Sequence, residues 1–238
     1  MMSSRKRKSV GRPRRRPIAA TPGERSESLA EKAYRRLEEM IVTLELAPGA
    51  VLSEAELSKK LGIGRTPIGE AVQRLARQDL ITILPRRGIV VAEINIKKQL
   101  KLLEVRREVE RFIARCAARR ASPEERRQFL EIAEAMDATI RRDDVLTFVR
   151  LDHDLNILCA AAGRNEYAAG FMAIVHSLSR RFWIVHYRQA ADLAKGVKSH
   201  ADLARAIAAG DAKAAGKASD RLLDYIEEFT RASLTDFL

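Results

Sequence analysis

The sequence predicts a mainly α protein in two folded parts. The first is an N-terminal winged helix-turn-helix, helical with a small β-hairpin wing. The second is a C-terminal all-α antiparallel bundle of about six helices. Three observations predict this. Apolar residues recur at helical spacing in three short segments between Ser28 and Leu75, after which the period changes to two β-rich runs around a glycine-bearing loop. From Asn95 onward every segment again reads as helix. The net charge of +12 is uneven: residues 1–24 hold eight basic residues and one acidic, residues 25–95 are near balance, and the remainder carries a small excess.

Residues 1–24 contain Arg, Lys, Pro, Ser and Gly with almost nothing apolar, so they form a disordered basic tail. Ser28-x-x-Glu31 is a capping box opening a helix whose apolar positions are Leu29, Ala33, Leu37, Met40, Ile41 and Leu44. Ala47-Pro48-Gly49 turns the chain. Ser53-x-x-Glu56 opens a short second helix, and Gly62 suits the left-handed residue after its last turn. A third helix starts within Gly64-Arg65-Thr66-Pro67, where a first-turn proline costs no hydrogen bond. Its buried face is Ile68, Ala71, Val72 and Leu75. Leu80–Leu84 and Ile89–Ala92 are the two strands of a hairpin, joined by Pro85-Arg86-Arg87-Gly88. Beyond it, helices are expected at 96–120, 123–142, 144–162, 165–190, 192–209 and 211–235. Ser122-Pro123-Glu124-Glu125 is a strong helix start, and Gly163 and Gly210 are expected stops. The divisions are therefore 1–24, 25–94 and 95–238, with a hinge near Glu93-Ile94-Asn95.

Composition excludes several classes. Apolar residues make up 46% of 238, enough for a real core, so a wholly disordered chain is excluded. No apolar run approaches the roughly 18 residues of a membrane span, and no apolar stretch follows the basic start as in a secretory signal. Two cysteines, Cys116 and Cys159, are too few for a disulfide framework and read as buried free thiols. The expectation is a cytoplasmic protein without a membrane partner. A basic tail on a near-neutral body points to a polyanion, nucleic acid first.

The chain resembles the GntR family of bacterial transcription regulators. Leu46-Ala47-Pro48-Gly49-x-x-Leu52-Ser53-Glu54 looks like that family's entry segment. Gly62-Ile63-Gly64-Arg65-Thr66-Pro67-Ile68-Gly69-Glu70-Ala71 looks like its recognition helix, with Gly69 in place of the usual second arginine and Gly64 in place of a serine. The helical half resembles the FadR-like effector domain called FCD, on Leu103-Glu104-Val105-Arg106-x-x-x-Glu110, on Asp152 with Ala162-Gly163-Arg164-Asn165, and on His200 with Ala206-Ile207-x-x-Gly210-Asp211. Asn156 and Leu222 stand where that pattern has histidines.

In this motif Arg65 opens the helix that would enter a major groove, and arginine can bond guanine bidentately, so Arg65 is the first candidate base reader. Thr66 and Gln73 are further readers or phosphate contacts. Arg35, Arg74 and Arg77 are candidate phosphate clamps. Arg86, Arg87 and Gly88 form a wing that would reach the adjacent minor groove. In the tail, Gly11-Arg12-Pro13-Arg14 resembles an AT-hook core lying in A·T-rich minor groove, with Arg12 and Arg14 as contacts. The alternative is a non-specific phosphate-binding or solubilising tail.

Asp152 and Asn156 are four apart, hence on one helix face, and His200 comes from another helix. The resemblance implies that these three line an effector cavity. They can hold a divalent metal (zinc, nickel or manganese) with water completing the shell, although Leu222 supplies no fourth ligand. The alternative is a polar pocket that bonds its ligand directly. Arg106, Arg180, Arg181 and Tyr187 are further effector candidates, because an arginine fork suits a carboxylate; adjacent Arg180 and Arg181 cannot both point inward. His153, His176 and His186 read as surface or satisfied core. The leading reading is a non-enzymatic, ligand-responsive regulator of the repressor type. It binds an inverted-repeat double-stranded DNA operator as a homodimer and responds to a small carboxylate. The rivals are a metal-dependent enzyme domain fused to a DNA-binding module, and an architectural DNA protein using only the tail and winged helix.

Overall fold

A computed structural model describes residues 27–142, 144–190 and 192–233. The basic tail, with Arg12 and Arg14, lies outside the described residues.

The first unit builds around α1 (Leu29–Val42), β1 (Val51–Leu52), α2 (Glu54–Leu61), α3 (Arg65–Arg77), β2 (Ile81–Leu84) and β3 (Gly88–Val91). Its caps follow the sequence with one difference. Ser53 and Glu56 form both halves of a capping box. At α1, Ser28 accepts from the Glu31 amide at 3.1 Å, but the Glu31 carboxylate leaves the box and reaches Arg74 of α3 at 2.6 Å. A cross-helix cation outcompetes the local return bond. Helix α3 opens on Gly64, which offers no side-chain cap. Leu37, Ile41, Ile68, Leu75 and Leu80 are fully buried in one core.

The wing is a three-stranded antiparallel sheet, ordered β1-β3-β2. Two of its strands are those the sequence predicts. The two-residue β1, pairing Val51 with Val90 and Leu52 with Ile89, is an addition. Gly88 explains why β1 can sit there. Its φ is +104°, and a Cβ would come 2.7 Å from the Leu52 carbonyl oxygen, so only glycine allows the approach.

The second unit contains α4 (Ile96–Arg120), α5 (Pro123–Ile140), α6 (Val145–Gly163), α7 (Glu166–Ala190), α8 (Leu193–Ala208) and α9 (Ala212–Ala232). These match the six expected helices to within a few residues. Gly163 does not end α6 in left-handed geometry; Arg164 takes that role, with φ 49°. The helix still stops at Gly163 as expected, and a Cβ there would meet the Ile113 side chain of α4 at 3.4 Å, an ordinary contact. Phe129, Met136, Leu155, Met172, Ile207 and Leu222 fill the second core. Cys116 and Cys159 are both buried and unbridged. Among the described residues no helix is long and apolar enough to cross a membrane.

Helix α7 joins the units. Ser177 bonds Glu38, Leu178 packs on the first core, and Arg180 donates to Glu39 at 2.6 Å. Arg181 donates to the Ala92 carbonyl at the end of the wing.

Candidate functional site

Two surfaces carry functional side chains. The first is the outer face of α3 and the wing. Ile68, Ala71, Val72 and Leu75 turn the inner face of α3 into the core. The helical period then leaves Arg65, Thr66, Gln73 and Arg77 on the opposite, exposed side. Arg65 is the first helical residue, and it makes no ion pair among the described residues. Arg86 and Arg87 are exposed at the tip of the wing, where Arg86 holds φ at 63°. Two of the expected clamps are already engaged. Arg35 pairs with Glu27 at 2.5 Å. Arg74 pairs with Glu31 and stacks its guanidinium 3.6 Å from the centre of the Tyr34 ring. Arg74 therefore ties α3 to α1 as well as facing outward. A Cβ on Gly69 would meet the Glu54 carboxylate at 3.6 Å, ordinary contact, so the absence of a side chain there reflects no lack of room.

The second surface is a cavity of about 40 Å³ inside the helical unit, room for roughly three waters. Gln99 and Arg106 come from α4, and Phe148, Val149, Asp152 and Asn156 from α6. Helix α7 gives His176, Ser179, Arg180, Phe182 and Trp183, α8 gives His200, and α9 gives Tyr225, Ile226 and Phe229. Of the expected effector residues, Arg106, Asp152, Asn156, Arg180 and His200 thus share one wall system. Arg181 does not. It is 2% exposed, points to the other side of α7 and anchors the linker. Tyr187 lies a turn beyond the cavity, stacked on Trp183 at 5.0 Å.

The polar half is organised by two pairs. Arg106 Nε donates to Glu110 Oε2 at 2.6 Å, both side chains under a tenth exposed. Burial alone would push the Glu110 carboxyl up, but Arg106 and His176 outweigh it and hold it down at about 2. His200 Nδ1 donates to the Gly196 carbonyl at 2.7 Å, which leaves Nε2 facing Asp152 Oδ1 at 3.1 Å. Burial opposes the Asp152 charge too, yet His200 and then Arg106 keep that carboxyl at about 2. Burial also works against a charged His200, and Asp152 reverses it, so the imidazole stays protonated to higher pH than usual. Asn156 completes the string by donating Nδ2 to Asp152 at 3.1 Å.

His176 differs from what the sequence suggests. It is not a satisfied core histidine but lines the cavity, and its Nε2 and Glu110 Oε1 have no hydrogen-bond partner among the described residues. Burial holds its pKa below the usual value. The sequence signal is its spacing: His176, Arg180 and Trp183 lie on one stripe of α7. His153 is exposed and His186 is buried with Nδ1 2.9 Å from the Phe182 carbonyl. The apolar half is aromatic, with Phe148 packed edge-on against both Trp183 and His200 at 5.7 and 5.2 Å.

This donor set falls short of a divalent-metal centre. The three expected ligands are one carboxylate, one imidazole and a neutral amide, the place of a further histidine is Leu222, 1% exposed in the core, and His176 lines the cavity without completing the set. Among the described residues no three His, Cys, Asp or Glu side chains converge to hold an ion. What the cavity offers is two arginines and His200, each already facing a carboxylate (Glu110, Glu39 and Asp152), so an entering anion would share or displace one of those partners.

Two family models match the chain. Residues 29–91 match the model of "Bacterial regulatory proteins, gntR family", and residues 101–225 match the "FCD domain". The chain is 26% identical over 201 residues to the HTH-type transcriptional repressor RspR of Escherichia coli K12, covering 84% of this chain and 88% of that one. It is 44% identical over 62 residues, about a quarter of either chain, to an uncharacterized HTH-type transcriptional regulator in an unstable DNA locus of Streptomyces ambofaciens. Among solved structures, E. coli McbR/YncC superposes with a TM-score of 0.70 at 17% identity, covering 89% of this chain and 99% of that one, which establishes the shared fold.

Proposed function

We propose, from the premise that this chain belongs to the gntR family of bacterial regulatory proteins and carries an FCD domain, that it is a transcriptional repressor released from its operator by a small carboxylate. That it is a transcriptional regulator and not an enzyme follows from the family; the operator, the homodimer, the sign of regulation and the effector are our reading. In it, residues 25–94 bind DNA, residues 95–238 bind effector and pair two copies, and residues 1–24 are an added cationic arm. Two copies would set two α3 helices in successive major grooves of an inverted repeat. Such a regulator would work in the cytoplasm.

The observation that carries the reading is the joint presence of an outward, arginine-led α3 and a cavity lined by Arg106, Arg180 and His200, bridged by one helix, α7. Arg65, Thr66 and Gln73 face outward for base edges, and Arg77, Arg86 and Arg87 for phosphates. Arg106, His200 and Arg180 supply the charge that would favour a carboxylate, with Asp152 and Asn156 orienting His200. The effector would bind these side chains directly, with no metal between.

Fluorescence anisotropy on an operator selected from random duplexes tests this, with candidate carboxylates added in the presence and absence of chelator. The expected result is specific binding that a carboxylate weakens equally with and without chelator. Binding that no carboxylate alters would refute the effector assignment, and a response lost to chelator would restore the metal.

A further inference from the structure

Among the described residues, Arg180 alone both lines the cavity and pairs with a side chain of the DNA-binding unit. Its side chain is 10% exposed, and Nη2 donates to Glu39 Oε2 of α1 at 2.6 Å. The residues making the α7 contacts Ser177 with Glu38, Leu178 with the core and Arg181 with Ala92 do not line the cavity. We propose that Glu39 is an internal competitor for the effector's anion: a carboxylate in the cavity takes the Arg180 guanidinium from Glu39, and so unfastens α1 from α7. This rests on the cavity being the effector site.

The two rivals for Arg180 are unequal. The Glu39 carboxylate is 53% exposed, so water and salt screen its hold. A carboxylate inside the cavity is walled by Phe148, Trp183 and Phe229 and meets Arg180 in a lower dielectric, where the same charges attract more strongly. A guanidinium offers a planar fork, and a carboxylate that binds it bidentately leaves little for a second acid. Release is transmitted because α1 is tied to the reading helix. Glu31 of α1 holds Arg74 of α3, and Tyr34 packs beneath the same guanidinium. A shift of α1 against α7 therefore moves α3 relative to the helical unit that would pair two copies. The volume of the cavity suits a very small acid, so acetate is a fitting probe and acetamide its neutral isostere.

Linkage makes the idea testable without knowing the natural effector. If the ligand displaces Glu39, removing the Glu39 charge must tighten ligand binding. Trp183 is the chain's single tryptophan and stands in the cavity wall one turn from Arg180, so its fluorescence reports occupancy. Wild type, Glu39→Gln, Glu38→Gln and Arg180→Gln would be titrated with acetate and with acetamide at constant ionic strength. Glu39→Gln should bind acetate at least about fivefold tighter than wild type, at the low end of typical coupling. Glu38→Gln, which touches Ser177 and not Arg180, should match wild type, and Arg180→Gln should lose the response to acetate. Acetamide should leave all four unchanged. Acetate affinity that is equal or weaker in Glu39→Gln overturns the competition while leaving the cavity reading intact. No acetate response in any of the folded proteins overturns both.

Discussion

Replacing Arg65 and Arg74 separately tests the assignment of the α3 face, because the structure gives the two arginines different burdens. Arg65 is exposed at the first turn and carries no fold contact, so Arg65→Ala should leave thermal stability within the usual surface range of about half a kcal/mol. The effect should fall on specific DNA binding, at about 1–3 kcal/mol for one bidentate base contact, which is roughly 5- to 150-fold in affinity. Arg74 holds Glu31 in a pair with both side chains 42% exposed, and stacks on Tyr34. The half-exposed pair contributes no more than about 1 kcal/mol, and the stacking adds about 0.5–1 kcal/mol. Arg74→Ala should therefore cost roughly 1 kcal/mol of stability, and should weaken specific and random DNA alike. The assay is anisotropy on a selected operator and on a scrambled duplex at one fixed salt, with thermal unfolding of each variant. Equal weakening for Arg65→Ala on both duplexes would refute base reading. A change confined to the operator in Arg74→Ala would refute its assignment as a structural and backbone contact.

Glu110→Gln leaves buried Arg106 without its paired carboxylate, so chemical denaturation should show a loss of about 3–5 kcal/mol, the usual consequence of breaking a buried pair from one side. By NMR, His200 should titrate above and His176 below the ordinary histidine value of about 6.5. His200 has the raised value, so its pair with Asp152 stabilises the fold fully below that ordinary value and ceases to as pH rises through the folded one. Asp152→Asn should accordingly lower the His200 midpoint and destabilise the protein more in mild acid than in mild alkali; an unmoved midpoint would exclude the pairing. Deleting residues 1–17 should flatten the slope of log affinity against log salt by about 0.9 for each phosphate that the tail neutralises, and an unchanged slope would leave the tail without a DNA role.

What the sequence disclosed and what it withheld divide along one line. The helices were legible because their signals are local. Ser53 with Glu56, and Ser122 with Pro123 and Glu125, specify caps within four residues, and the periodic apolar faces specify which side is buried. Strand β1 was not legible, since two residues carry no period; it exists because Gly88, more than thirty positions later, lets the Leu52 carbonyl approach. The cavity was half legible. Asp152 and Asn156 share a helix face by spacing alone, and their meeting with His200 came only from family likeness. His176 was missed because a lone histidine on an apolar helix reads as core. Its stripe-mate Arg180 was the clue, but only the fold turns that stripe toward Asp152 and Arg106. Least visible were the links between units, since Glu38 and Glu39 meet Ser177 and Arg180 across about 140 positions. Regulation depends on such long-range pairs. A contact that must yield to a ligand cannot also be fixed by the local rules that make a helix, so the residues that couple the cavity to α1 are those a one-dimensional reading sees as ordinary surface charge.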